Sequence, residues 1–323
     1  MRRLAALAAA TLALVGCNSD TPEKPPKPLF GFNSGLSLWA VQPKTEVRYE
    51  QMAGANAQRF VASWRNLQPT PRDPPLAPTD RRAAIDRLYK TLVENHMTPI
   101  IVAGSAPPWA ARPHNHGSDW LPPGENHITD WQKFVKALTD RYPRAVIEPW
   151  NEPNFGVFWS EQPPDPTYMA QLQCAAYRAV PRNRVVLSTG FAVRNGFEHY
   201  ATAFYRRAQH CFDGLSVHLY GNVDKRIDAV QSVFKDRTPI WVTETGSSSL
   251  PGSLTEKQQA KQNRRLYNAA AALPGIKAIL FNTLRDGPDP EPLRRPKSRE
   301  YHYGFLRVDF SPKPTYCDFA KRC

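Results

Sequence analysis

The stretch RAVIEPWNEPN, residues 144 to 154, sets a branched apolar run directly against Trp150, Asn151, Glu152 and Pro153. The run has the length and composition of a buried strand, and the proline forbids that strand to continue. An amide and a carboxylate are left at its C-terminal end. TPIWVTETG, residues 238 to 246, repeats the arrangement with an apolar run, then Glu244, then a glycine. AVIEPW (145–150) and PIWVTE (239–244) are two of eight such runs. The others are LFGFNSG (29–35), AQRFVAS (57–63), TPIIVAG (98–104), RVVLSTG (184–190), GLSVHLY (214–220) and KAILFNT (277–283).

Helical patterns separate most of these strands. TDRRAAIDRLYKTLVENH (79–96) lines up Ile85, Leu88, Leu92 and Val93 on one face, with Thr79 or Asp80 as cap. TDWQKFVKALTDRY (129–142) does the same with Trp131, Phe134, Val135 and Leu138. Eight strand–helix units in about 290 residues predict a single (β/α)8 barrel. An open doubly wound sheet is the alternative, but no glycine-rich dinucleotide loop follows the first strand. A barrel demands that its chemistry cluster at the C-terminal ends of the strands. Trp64, Trp109, Asn151, Glu152, His218, Tyr220, Glu244 and Asn282 stand there.

Strands four and seven lie on opposite sides of a barrel mouth, so Glu152 and Glu244 are expected to face one another. Two carboxyls flanking a glycosidic bond are the minimal machinery of sugar hydrolysis. Their neighbours point to different roles. Glu152, between an amide and a proline and beside Trp150, is in a setting that can raise its pKa for proton donation. Glu244, near Arg59 and Tyr220, would stay ionised as a nucleophile. Asn151 can hydrogen-bond a sugar 2-hydroxyl. Trp64, Trp109 and Trp159 are candidate sugar-stacking platforms, with core packing the competing reading for each. Trp131 and Trp241 read as structural. His114, His116 and Asp119 in RPHNHGSDW lack a further ligand at a useful spacing, so a loop beside the mouth is expected there rather than a metal site.

WNEP on the fourth strand and WVTETG on the seventh resemble glycoside hydrolase clan A, the retaining (β/α)8 glycosidases. The resemblance implies an Asn-Glu acid/base at Asn151 and Glu152 and a nucleophile at Glu244. QRFVASW (58–64) is similar to the clan's second strand, whose arginine, here Arg59, supports the nucleophile. SVHLYG (216–221) is similar to its sixth, whose histidine and tyrosine, His218 and Tyr220, lie beside it. TLRDG (283–287) and YGFLRVDFSPKPTYCDF (303–319) resemble the end of family 39-like and cellulase-like members. Phe281, with Asn282 beside it, stands where many relatives have a tryptophan platform, and Leu219 where proline is common. The activity implied is retaining hydrolysis of β-glycosidic bonds in an oligo- or polysaccharide, bacterial exopolysaccharides among them, with no cofactor. A transglycosylase would share every one of these residues, and a glycan-binding protein on a decayed barrel is the reading from a different class.

The N-terminus MRRLAALAAATLALVGC has two arginines, a twelve-residue apolar stretch and then Gly16 and Cys17. The stretch is too short to span a bilayer and has the build of a secretory signal. Leu14-Val15-Gly16-Cys17 resembles a bacterial lipobox, so residues 1–17 are expected to be a lipoprotein signal with Cys17 as the lipidated residue. NSDTPEKPPKP (18–28) reads as a proline-rich tether, and 29–323 as the barrel. The expected location is outside the cytoplasm on a lipid-anchored, monomeric chain. Cys174, Cys211, Cys317 and Cys323 are an even set in an exported protein, and we expect Cys174–Cys211 and Cys317–Cys323 disulfides over free thiols. The formal net charge is +13, of which Arg2 and Arg3 contribute two. No Lys/Arg run of nucleic-acid type accompanies it, so a solvated basic surface is expected, with an anionic glycan as the second reading.

Overall fold

The computed structural model describes residues 27–33, 43–112, 119–159, 164–235, 239–287, 298–320 and 323. Strands and helices alternate along them: β1 (Leu29–Asn33), α1 (Pro43–Met52), β2 (Ala57–Ser63), α2 (Trp64–Leu67), α3 (Asp80–Glu94), β3 (Thr98–Gly104), α4 (Ile128–Arg141), β4 (Val146–Pro149) and α5 (Pro166–Ala179). Then follow β5 (Phe191–Ala192), α6 (Phe197–Ala208), β6 (Leu215–Tyr220), α7 (Val223–Phe234), β7 (Ile240–Gly246), α8 (Glu256–Ala271), β8 (Ile276–Phe281) and α9 (Pro314–Phe319). The strands pair in parallel in the order β4-β3-β2-β1-β8-β7-β6-β5.

The expected (β/α)8 architecture is present, with one departure at the fifth strand. RVVLSTG (184–190) is not a continuous ladder. It touches its neighbours through single bridges, Ile147 with Val186, Asn151 with Gly190 and Leu187 with Gly214, and these carry the wall of the barrel from β4 round to β6. The ladder proper begins only at Phe191. The other strands fall within two residues of expectation where they are described.

Strand alternation divides the side chains between two sets. Ala57, Ile100, Val146, Leu187, Trp241, Ala278 and Leu280 form a small apolar cluster inside the barrel. Phe60, Ile101, Ile147, Val217 and Val242 belong instead to the large cluster shared with the helices. There α3 contributes Ile85, Leu88 and Leu92, and α4 contributes Trp131, Phe134, Val135 and Leu138. Val93, expected on the same face of α3, is half-buried. Thr79 is the α3 cap, its hydroxyl accepting from the Arg82 amide. Arg59 and Glu148 stand two residues beyond Ala57 and Val146, so the same alternation delivers them to the barrel interior on its C-terminal side.

Cys174 of α5 is bonded to Cys211 just past α6, and Cys317 of α9 to Cys323. Both expected pairings are found. Among the described residues no helix is long and apolar enough to cross a membrane.

Candidate active site

Strand β4 stops where its sequence demands, and the chain turns sharply to present its polar residues. Trp150 (φ 74°) and Glu152 (φ 42°) both take left-handed backbone conformations, which cost non-glycine residues about 1–3 kcal/mol each. Trp150 is held by burial. Its ring lies against Trp131 and Trp159, its Nε1 donates to the Phe158 carbonyl at 2.8 Å, and its amide donates to Ala103. The Glu152 amide donates to the Gly190 carbonyl at 2.7 Å. The tryptophan is therefore the anchor of the turn, and Glu152 is what the turn displays.

Glu244 reaches the interior by a different device. Val242 faces the helices, so strict alternation would turn Glu244 outward as well. Between β6 and β7 the register slips by one residue, from Val217 opposite Val242 to His218 opposite Glu244. This bulge admits Thr243 as an extra residue and re-aims Glu244 into the barrel mouth.

Arg59 joins the two strands. Its guanidinium donates twice to Glu148 (2.7 and 2.9 Å), and once each to Glu244 Oε1 (2.6 Å), Asn151 Oδ1 (2.8 Å) and Asn33 Oδ1 (3.0 Å). Burial alone would weaken its charge, but Glu148 and Glu244 more than offset this and keep it cationic. Tyr220 donates to Glu244 Oε2 at 2.9 Å. Burial, then the charge of Glu244, pushes the Tyr220 phenol well up, so it remains a donor. For Glu244 itself, burial pulls the carboxyl upward, yet His218, Arg59 and the Tyr220 hydrogen bond together hold it below the ordinary glutamate range.

His218, fully buried, meets Glu152 Oε1 through Nδ1 at 2.7 Å and lies 3.6 Å from Glu244 Oε2. Burial opposes its protonation, but the charge of Glu244 and the bond to Glu152 raise its pKa. Oxygens of the two glutamates lie within 4.8 Å of one another. Gly190 makes this crowding feasible: a Cβ there would lie 2.3 Å from Glu148 Oε1 and 2.8 Å from His218 Nε2. Glu152, His218 and Glu244 are also near enough together to ligate an ion. The Arg59 cation seated on Glu244, and His218 Nδ1 engaged with Glu152, make the trio a poor fit for one. His114 and His116 lie outside the described residues, and Asp119 pairs with Arg65.

A cavity of about 540 Å³ opens in front of the pair, lined by Glu152, Glu244, His218 and Tyr220 together with residues the sequence reading missed. Phe155 and Phe158 come from the loop after β4, Arg194 and Asn195 from the turn before α6, and Arg226 from α7. Arg299, Glu300 and Tyr303 come from the segment after β8. Asn282 hydrogen-bonds Glu300, whose carboxyl is raised by burial in the cavity wall and by the charges of Glu244 and Glu152. Inward-facing Glu148 was also missed, although a charge inside an apolar strand is a signal that could have found it; the loop residues carried no comparable signal.

The proposed aromatic platforms do not reach this cavity. Trp64 is fully buried, stacked on Phe134 at 5.6 Å. Trp159 is fully buried between Trp150 and Tyr168. Phe281 is buried among Phe30, Phe305 and Phe319. Half-buried Trp109 packs edge-on to Trp64 and donates to the Gln68 carbonyl. In each case nearby aromatic partners favour core packing over exposure to a sugar. Trp131 and Trp241 are buried, as expected.

Residues 121–278, just under half of the chain and including both glutamates, match the family model described as glycosyl hydrolase catalytic core. No curated protein sequence matches the chain. Among solved structures, it is similar to a family 39 glycoside hydrolase from Bacteroides cellulosilyticus, with TM-score 0.64 and 20% identity over 90% of this chain and 62% of that one. A family 39 β-xylosidase from Caulobacter crescentus gives TM-score 0.69 and 18% identity over 92% and 72%. An exo-β-1,4-mannosidase from an Opitutaceae bacterium gives 0.68 and 17% over 91% and 58%. The chain thus spans less than two thirds of the first and third of these. Residues 121–278 thus match a glycosyl hydrolase catalytic core, and the barrel as a whole has a family 39-like, clan A fold.

Proposed function

We propose that the chain is a retaining β-glycosidase of oligo- or polysaccharides, with Glu244 as nucleophile and Glu152 as acid/base. The observation that carries this reading is the pair of carboxylates whose oxygens approach within 4.8 Å in unlike settings. A separation of about 5–5.5 Å suits direct attack on the sugar, whereas an inverting water needs about 6.5–9.5 Å. Glu244, held ionised by Arg59 and Tyr220, would attack the anomeric carbon. The glycosidic oxygen would leave with the proton of Glu152, forming a glycosyl ester on Glu244. Glu152, now a carboxylate, would take a proton from water as that water attacks the anomeric carbon, breaking its bond to Glu244, releasing the sugar and restoring both groups. His218, bonded to Glu152, and Asn151, fixed by Arg59, would position the acid and the sugar's 2-hydroxyl.

The neighbours named as a β-xylosidase and an exo-β-1,4-mannosidase support a β-linked glycan as substrate. The lipobox at Leu14–Cys17 and the tether at 18–28 support an exported, lipid-anchored protein that acts on glycans outside the cytoplasm; within this proposal the chain is a monomer and exopolysaccharides are among its substrates. The test is a polysaccharide panel with NMR of the first-formed product. The reading expects a β-anomer at the new reducing end, no turnover in Glu244→Gln, and turnover reduced about 10²–10⁴-fold in Glu152→Gln. A first-formed α-anomer would contradict it.

A further inference from the structure

Three arginines line the cavity. Arg194 comes from the turn before α6, Arg226 from the first turn of α7, and Arg299 from a short 3-10 helix, Arg299–Tyr301. Three separate connections thus bring guanidinium groups to one cavity. Elsewhere Arg65, Arg141, Arg265 and Arg307 each pair with a surface carboxylate. Among the described residues, none of the three cavity arginines takes part in an ion pair. The Arg194 guanidinium lies 4.0 Å above the Phe155 ring, which holds it in place without neutralising it. Arg226 is half-buried, and its Nε is buried with no hydrogen-bond partner.

A ligand that displaces water from such a wall must supply acceptors, or leave charged donors unsatisfied. Hydroxyls of a neutral sugar offer only neutral acceptors. A carboxylate or sulfate offers the planar or multiple oxygens that a guanidinium fork binds in pairs, with charge assistance. Glu244 is engaged by Arg59 and Tyr220 and Glu152 by His218, while Glu300 hydrogen-bonds Asn282 and also feels the charge of the adjacent Arg299. The net charge, +13 for the full sequence and +11 without Arg2 and Arg3, would draw a polyanion toward the protein.

We infer that the glycan bound here carries an anionic substituent, a uronate carboxylate or a sulfate ester, which Arg194, Arg226 and Arg299 recognise. The inference rests on the glycosidase reading for the cavity's being the glycan's seat, and it adds the substrate's class. Uronate-containing and sulfated polysaccharides are each presented native and neutralised, by carboxyl reduction or by desulfation, alongside neutral glucans, xylans and mannans. Cleavage is measured with wild type, and binding by calorimetry with Glu244→Gln. The expected result is cleavage and binding of an acidic glycan, weakened about 10- to 100-fold when it is neutralised. Loss with carboxyl reduction identifies a uronate; loss with desulfation identifies a sulfate. Arg226→Gln should raise KM on the native acidic glycan by a similar factor and change it far less on the neutralised form. Exposed Arg194→Gln, which carries no folding risk of note, should do the same. Cleavage of a neutral glycan as efficient as that of any acidic one, unaffected by both variants, overturns the inference while the glycosidase reading stands. Binding of acidic glycans without cleavage of any keeps the inference and removes the glycosidase reading. An acidic panel neither bound nor cleaved overturns it.

Discussion

Replacing Arg59 with methionine removes the group on which both halves of the site converge. Five hydrogen bonds between 2.6 and 3.0 Å disappear, and Glu148, with no exposed surface, loses its cation. Removing one partner of a buried pair typically costs about 3–5 kcal/mol, because the other charge is stranded. Folded domains have only about 5–15 kcal/mol to lose. At about 2 °C per kcal/mol for a domain of this size, the melting temperature should fall by roughly 6–10 °C. Adding Glu148→Gln keeps the side chain's shape and removes the stranded charge, so Arg59→Met/Glu148→Gln should melt well above Arg59→Met alone. Activity should not return with stability, since Glu244 still lacks its guanidinium. The assay is thermal denaturation of the three proteins at pH 7, with kcat/KM on whichever glycan wild type cleaves. Equal melting temperatures for Arg59→Met and wild type, or no recovery in the double variant, would refute the buried pair as an energetic unit.

Gly190→Ala would push a methyl against Glu148 and His218, and should lower both melting temperature and kcat/KM, by about 1–3 kcal/mol in stability; wild-type values for both would show that the contact relaxes freely. Because Glu244 is held below the usual range, its contribution to activity and stability is present above about pH 4.3 and lost only as pH falls further, through its folded pKa. Tyr220→Phe removes one of the donors that lower it, so the acidic limb of the kcat/KM profile should move to higher pH, and an unmoved limb would count against that bond. The lipid anchor proposed at Cys17 predicts that Cys17→Ser leaves the protein unprocessed or releases it from the membrane; wild-type protein that is soluble with an unmodified N-terminus would rule the anchor out.

The regular part of this architecture was legible because each strand and helix carries its own period. AQRFVAS and TPIIVAG coincide with β2 and β3 to the residue. The fifth strand was overextended because RVVLSTG is apolar enough to read as a ladder, while its pairing depends on bridges to β4 and β6 that no local pattern encodes. Both glutamates were found by their position after apolar runs. How they come to face each other was not, since it depends on a bulge at Thr243 and on left-handed backbone at Trp150 and Glu152. Trp64, Trp109 and Trp159 were left between platform and core packing because a tryptophan near a strand end looks the same in sequence whether its ring meets a sugar or another ring. Arg194, Arg226, Arg299 and Glu300 lie on loops and helix starts, where only the fold brings distant segments together.

The most direct test of the account is the response of the two glutamate variants to azide on an activated aryl β-glycoside of the cleaved sugar. Such a leaving group needs little protonation, so Glu152→Ala should still form the glycosyl ester on Glu244 while losing about 10²–10⁴-fold on the natural bond. Azide should then attack that ester and restore turnover, giving a β-glycosyl azide. In Glu244→Ala, azide should attack the substrate itself and give the α-product. The opposite pattern would exchange the roles of the two residues. Full activity in either variant, on a glycan that wild type cleaves, would contradict the claim that Glu152 and Glu244 are the machinery.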